Sequence, residues 1–477
     1  MPLVSSLELG PTFSGVEMTR PRKKFRAKAR RPLVILLAFI IPVACLVYFV
    51  LAHNGTRVYS IFNVTQNVYH VDTNKNKIES TKNPITKDDY YSIIFDAGST
   101  GTRIHIFHFR KNKDQNLVLL KDEFRQTKPG LSSYADEPTK AVQSVDNLLK
   151  VAKKVIPQSK WMSTPIVLKA TAGLRLLPGK KSQIILDQVK QLFASSLFRK
   201  LGKNAVSIMD GDNEGIYGWL SVNYLSSKLE SSKRDEMYSA LDLGGGSVQI
   251  TLPLPKQQGF QANRMPSGYV KSLEISRSSF SLYTHSYLGL GLMSARASIL
   301  NESSSVILET GNNSNVVEIT SPCFPVGYND VWKFGGKQFN IKGTDECSFE
   351  SCRDLVKKVI AMKHIDRPEQ VKQAKIFAFS YFFDRATDLG LIDENFGGEL
   401  LVQNYVDAAQ TVCQRGSVME KPFLCLDTSF IITLLTDGFG LSLHHQLHLK
   451  RKIEDFDVSW AVGAALDFYE QSRNPAR

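Results

Sequence analysis

The chain lacks the short motifs that most often mark phosphate or metal chemistry. It has no GxxxxGK(S/T) loop and no GxGxxG turn between a strand and a helix, which excludes P-loop and Rossmann nucleotide sites. Only six cysteines occur in 477 residues and none form a CxxC pair, which argues against a thiolate metal site. A concentrated positive face is missing too. Of the net charge of +13, residues 1–31 contribute eight Lys/Arg against two Glu, and the remaining excess is spread without a basic stripe. No nucleic-acid partner is therefore expected. Beyond residue 52 no apolar run is long enough to hold a bilayer. With 43% hydrophobic, 10% aromatic and 22% charged residues, the chain is globular rather than disordered.

One long apolar run is present, and it sets the compartment. Leu33 to Ala52 is uncharged and mostly apolar, and as a helix it spans about 30 Å of hydrocarbon. Cations from Arg20 to Arg31 precede it and none lies inside, so residues 1–32 read as a cytosolic tail and 33–52 as a signal anchor. The charged leader and the apolar run both exceed a usual cleaved signal. Residues 53–89, rich in Asn, Thr and Lys, read as a solvated stalk, and cleavage near His53 would release a soluble form. Sequons at Asn54, Asn63, Asn301 and Asn312 agree with a glycosylating lumen. Cys45 lies in the anchor. Of the other five cysteines, the short Cys413–Cys425 loop pairs most readily, Cys323 can join Cys352 or Cys347, and one thiol stays free.

Subtracting the first 52 residues from 477 leaves 425, more than one core usually organises, so two domains are expected. Residues 90–109 run strand, glycine turn, strand, and residues 237–252 repeat the same grammar. Helical patterns over 138–154 and 182–199 alternate with short apolar runs such as 165–169, which predicts an α/β fold. A closing helix is expected within 456–471.

The repeated turns carry the chemistry. A Gly/Ser turn between strands presents successive backbone N–H groups that can cradle phosphate oxygens. Asp96 and Asp242 end the incoming strands, and two carboxylates facing one bound phosphate call for a divalent cation between them. His444, His445 and His448 have the spacing of a metal site but no nearby carboxylate in sequence, and read as a solvated helix face.

Four segments make the pattern specific: Asp96-Ala-Gly-Ser-Thr-Gly-Thr-Arg103, Ala170-Thr-Ala-Gly-Leu-Arg-Leu-Leu177, Gly211-Asp-Asn-Glu-Gly-Ile-Tyr-Gly-Trp-Leu220 and Asp242-Leu-Gly-Gly-Gly-Ser-Val-Gln249. In this order they resemble the signature segments of the nucleoside triphosphate diphosphohydrolases, or apyrases, with Phe377–Asp384 similar to that family's base-proximal stretch. The single N-terminal anchor is similar to that of the family's Golgi and endoplasmic reticulum nucleoside diphosphatases.

The resemblance implies two ribonuclease-H-like lobes of the actin and sugar-kinase type with an interlobe cleft, lobe I over 90–209 plus 456–477 and lobe II over 210–455. It implies a Ca²⁺ or Mg²⁺ ion held through water by Asp96 and Asp242. Ser99, Thr100, Gly244, Gly245, Gly246, Ser247, Gln249 and Thr171 match positions around the phosphates and water. Arg175 either clamps phosphate or pairs with a carboxylate at the lobe surface. Glu214 matches the base that activates water, and Tyr381 and Phe439 are candidates for stacking on the nucleobase. The Cys323–Cys352 and Cys413–Cys425 pairs are preferred. The activity implied is removal of the terminal phosphate of nucleoside diphosphates of the GDP, UDP and IDP class, triphosphates more weakly. The expected setting is a monomer in the Golgi membrane, shed in part or present at the cell surface. A sugar kinase or a non-hydrolysing nucleotide receptor on the same fold is the rival reading.

Overall fold

The protein is described here by a computed structural model, over residues 86–202, 204–229, 234–255, 265, 266, 268–276, 278–303, 316–414 and 420–473. The tail, the anchor Leu33–Ala52, most of the stalk and the sequons at Asn54, Asn63 and Asn312 lie outside the described residues. Among the described residues no helix is long and apolar enough to cross a membrane. Asn301 is described and exposed.

The first sheet is built from β1 (Asp89–Ala97), β2 (Thr102–Lys111), β3 (Leu117–Thr127), β4 (Pro165–Ala170), β5 (Arg199–Lys200) and β6 (Val206–Ile208). β1 begins at Asp89, inside the segment read as stalk. It is the central strand of this sheet and is buried on both faces, which suits its run of aromatic and β-branched residues. Helix α1 (Pro138–Val155) carries Pro in its first turn and turns Val145, Leu148, Leu149 and Ala152 inward, a 3.6-residue stripe. The turn α2 (Ala172–Arg175) and helix α3 (Lys181–Ala194) follow. The helix expected over 182–199 stops at Ala194, because residues 199 and 200 are needed as the strand that pairs with Pro165 and Ile166.

Helix α4 (Gly211–Leu225) leads to a second, seven-stranded sheet. Its strands are β7 (Ser239–Leu243), β8 (Ser247–Pro253), β9 (Val270–Ile275) and β10 (Ser278–Leu288), joined later by β14 (Ile376–Ser380), β15 (Gly398–Leu401) and β16 (Gln446–Leu449). A small third sheet, β11 (Val316–Ser321), β12 (Asn329–Phe334) and β13 (Lys337–Gly343), is inserted between. Helices α5 (Leu292–Ser303), α6 (Phe349–Ala361), α7 (Tyr381–Asp388), α8 (Val402–Gln414) and α9 (Leu424–Thr433) belong to this half, and α10 (Trp460–Arg473) closes the chain.

The two large sheets repeat one topology. β1 pairs antiparallel with β2 and parallel with β4, as β7 does with β8 and β14. β2 continues antiparallel to β3, and β8 to β10; β4 continues parallel to β6, and β14 to β16. Three apolar cores follow. One lies under the first sheet with α1 and α3, and one under the second sheet with α5 to α9. The third joins Ile94 and Phe107 of the first sheet to Leu282 and Phe377 of the second through α4 and α10, with Trp219 fully buried at its centre. Each such side chain contributes roughly 1.5–3 kcal/mol. The closing helix thus packs on α4 and between the sheets rather than on one of them. Disulfides Cys323–Cys352 and Cys413–Cys425 lie in the second half, and Cys347 is free and buried.

Candidate active site

Each aspartate stands near the end of a buried strand, and Asp96 and Asp242 are each 8% exposed. The chain then turns in the same way twice. The Gly98 N–H donates to the Gly101 carbonyl at 3.0 Å, and the Gly244 N–H to the Ser247 carbonyl at 3.0 Å. The two turns meet: a Cβ added at Gly245 would fall 2.3 Å from Ser99 Oγ, so the second turn lies against the Ser99 side chain of the first. Ser99, Thr100, Thr171 and the Gly244–Ser247 turn line one cleft of about 610 Å³, together with Asp96, Asp242, Glu214 and Tyr381.

Glu214 lies in the first turn of α4, whose N-cap Asp210 accepts from the Asp212 N–H. Its carboxylate takes a hydrogen-bonded ion pair from Arg175 Nη2 and lies 3.4 Å from Gln249 Nε2. Gln249 also donates to Ser247 Oγ at 2.7 Å and Ser286 Oγ at 2.8 Å. Gln249 and Arg175 therefore stand behind the lining of the cleft. The guanidinium of Arg175 pairs through Nη2 with the buried carboxylate of Glu214, the carboxylate partner that sequence offered as one of its two roles. Burial raises Glu214 to about 8; Arg175 opposes the rise, and Asp242 and Asp96 add to it. Burial likewise raises Asp242 to about 6, against a hydrogen bond from Ser380 and the charge of Arg103, with Asp96 adding to the rise.

A cation fits this place. Asp96 Oδ1 and Asp242 Oδ1 are buried without a hydrogen-bond partner, and two orphaned carboxylate oxygens on one cleft suit a hard divalent ion. Among the described residues no three His, Cys, Asp or Glu side chains cluster as a cage. An ion held here would draw its other ligands from water and phosphate.

Three neighbours were not singled out by sequence. Arg103 Nη1 bonds Asp96 Oδ2 at 3.0 Å. It faces Asp96 across the hairpin, a register that counting outward from the glycine turn would have given. His105 Nδ1 lies 2.8 Å from Asp122 Oδ2 in a buried pair beside them. Ser380 hydrogen-bonds Asp242 from a backbone at φ 58°, a conformation that no residue type at this position announces.

Two expectations fail. Phe439 is fully buried against Tyr287, ring centroids 6.0 Å apart, and has no face on the cleft. His444, His445 and His448 lie on a turn and on β16, not on a helix, and His448 Nδ1 pairs with Glu399 Oε1 at 2.8 Å. The partner that sequence seemed to lack comes from the neighbouring strand β15.

Residues 82–476 match the GDA1/CD39 (nucleoside phosphatase) family. The chain is 42% identical over 386 residues to Nucleoside diphosphate phosphatase ENTPD5 of Homo sapiens, covering 80% of this chain and 87% of that protein. It is 41% identical over 385 residues to Ectonucleoside triphosphate diphosphohydrolase 6 of Mus musculus, covering 80% and 82%. Among solved structures, a nucleoside triphosphate hydrolase from Neospora caninum aligns with a TM-score of 0.55 at 15% identity, over 80% of this chain and 93% of that one. That likeness concerns the fold.

Proposed function

The chain belongs to the GDA1/CD39 nucleoside phosphatase family, and from that membership we propose that it removes the terminal phosphate of nucleoside diphosphates by in-line attack of water. The observation that carries this reading is the meeting of two matching turns over two carboxylates with orphaned oxygens. The two sheets are read as ribonuclease-H-like lobes, lobe I over 90–209 plus 456–477 and lobe II over 210–455. GDP, UDP and IDP are the expected substrates, with triphosphates weaker. The similarity to a nucleoside diphosphate phosphatase supports this choice.

A bound Ca²⁺ or Mg²⁺ would supply neutralisation of phosphate charge. Asp96 and Asp242 would hold it through water. The backbone amides of the Ser99–Thr100 and Gly244–Ser247 turns bind the phosphates and fix the terminal phosphorus in line. Ser247 orients the water, with Gln249 holding Ser247 and Glu214 from behind. Glu214 takes its proton as the oxygen bonds to phosphorus, and the bridging oxygen leaves with the electron pair. Arg175 steadies the Glu214 carboxylate from behind. Tyr381, the one stacking candidate that lines the cleft, contacts the nucleobase. The lumen of the secretory pathway, with Leu33–Ala52 as anchor, is the setting this reading keeps.

Phosphate release from GDP, UDP, ADP and GTP by residues 53–477, with and without EDTA, tests the reading. The expected result is cation-dependent release from diphosphates, and a loss on the order of 10²–10⁴ in kcat for Glu214→Gln. Metal-independent release, or a fully active variant, rejects it.

A further inference from the structure

Arg103 remains outside the mechanism above, and the internal repeat gives it a place. Arg103 stands opposite Asp96 in the first hairpin as Gln249 stands opposite Asp242 in the second. The two positions are equivalent, one in each half of the repeat. Gln249 reaches Glu214 and so belongs to the side from which water attacks. Its counterpart then belongs to the other side of the paired aspartates. Two observations agree. Arg103 shares the cleft wall with Tyr381 and Asp384, and its charge acts on Asp384. The cation next to Glu214 is instead Arg175.

The guanidinium is also built for a ligand. Among the described residues only Nη1 is engaged, in the bond to Asp96, and the side chain is 31% exposed in the lining of the cleft. Gly98 leaves it room, since a Cβ there would lie 2.8 Å from Nη1. A planar fork with open donors suits phosphate oxygens. In-line displacement puts the entering and leaving oxygens on opposite sides of phosphorus. Resting on the diphosphatase reading, we propose that Arg103 holds the departing phosphate, the one that stays on the nucleoside. As the bond from the terminal phosphorus to the bridging oxygen breaks, that oxygen keeps the electron pair, and the guanidinium neutralises the charge gathering on the departing group.

The two products separate this role from simple support of Asp96. Calorimetric titration of wild type and Arg103→Gln with GMP and with inorganic phosphate, in Mg²⁺, is the direct test. The expected outcome is GMP affinity lower by on the order of 10–100-fold in the variant, with phosphate affinity within about twofold of wild type. kcat/KM for GDP falls with the GMP affinity. Arg103→Lys, which keeps the charge without the fork, restores GMP affinity in part and serves if the glutamine variant does not fold. Unchanged GMP affinity, or equal weakening of GMP and phosphate, overturns the proposal. The diphosphatase reading itself fails separately, by absence of GDP hydrolysis in wild type.

Discussion

Burial raises Glu214 well above the ordinary carboxylate range, and this sets how its activity depends on pH. A base must be ionised, yet burial raises this carboxyl to about 8, with Arg175 only partly offsetting it and Asp242 and Asp96 adding to it. The rate should therefore rise with pH through the neutral range, because the active species is the deprotonated one. A cation at Asp96 and Asp242 removes their repulsion, so added Mg²⁺ should move the acid limb of kcat/KM to lower pH. Rate profiles at two Mg²⁺ concentrations check this, and a limb at the ordinary carboxylate position that ignores the ion would sink it. The aspartates themselves are tested by Asp96→Asn and Asp242→Asn. Each should cost on the order of 10² or more in rate and raise the Mg²⁺ needed for half-activation, since each removes charge at the cation. A near-normal rate in either variant would mean that its orphaned oxygen holds nothing.

The second phosphate turn shows how one element positions another. The N–H groups of Leu292, Met293 and Ser294 have no partner within α5, as at any helix start, and they donate to the Gly244 and Gly245 carbonyls at 2.9 to 3.1 Å. The turn rests directly on Gly291, where a Cβ would lie 2.2 Å from Ser247 N and 2.4 Å from Gly246 N. Gly291→Ala must push the turn away from the phosphate, so kcat/KM for GDP should fall on the order of 10²-fold, the scale of a misplacement near 1 Å. The check is kinetics beside a melting curve, and wild-type kinetics would refute it. Such local patterns decide what sequence shows. The hairpins at 90–109 and 237–252 are legible because alternation and glycine lie within one short window. The same holds for Asp96, Asp242 and Glu214, each fixed next to a turn. Residues 444–448 mislead because their partner Glu399 comes from another strand, and Phe439 misleads because an aromatic beside two glycines looks alike in core and cleft.

Across the whole molecule, the relation between the two sheets passes through α4 and α10. They touch at Gly463, whose N–H donates to Ser221 Oγ at 2.8 Å, and Tyr217 donates to Asp467 at 2.9 Å beside it. No window of sequence contains this contact, which is why the closing helix could be placed in the sequence but not in space. A Cβ at Gly463 would fall 2.2 Å from the Tyr217 carbonyl oxygen, and backbone cannot swing aside as a side chain can. Gly463→Ala should therefore spread the two helices and cost about 1–3 kcal/mol, seen as a lower melting temperature. Glu214 rides on the same helix as Tyr217, one turn towards the cleft, so the displacement should reach the base. The expected signature is a fall in kcat for GDP larger than any change in GMP affinity, because the water side moves while the nucleoside side stays. Equal loss of both would mean that α4 and α10 move as one rigid pair. An unaltered melting curve would mean that the helices already have room to separate.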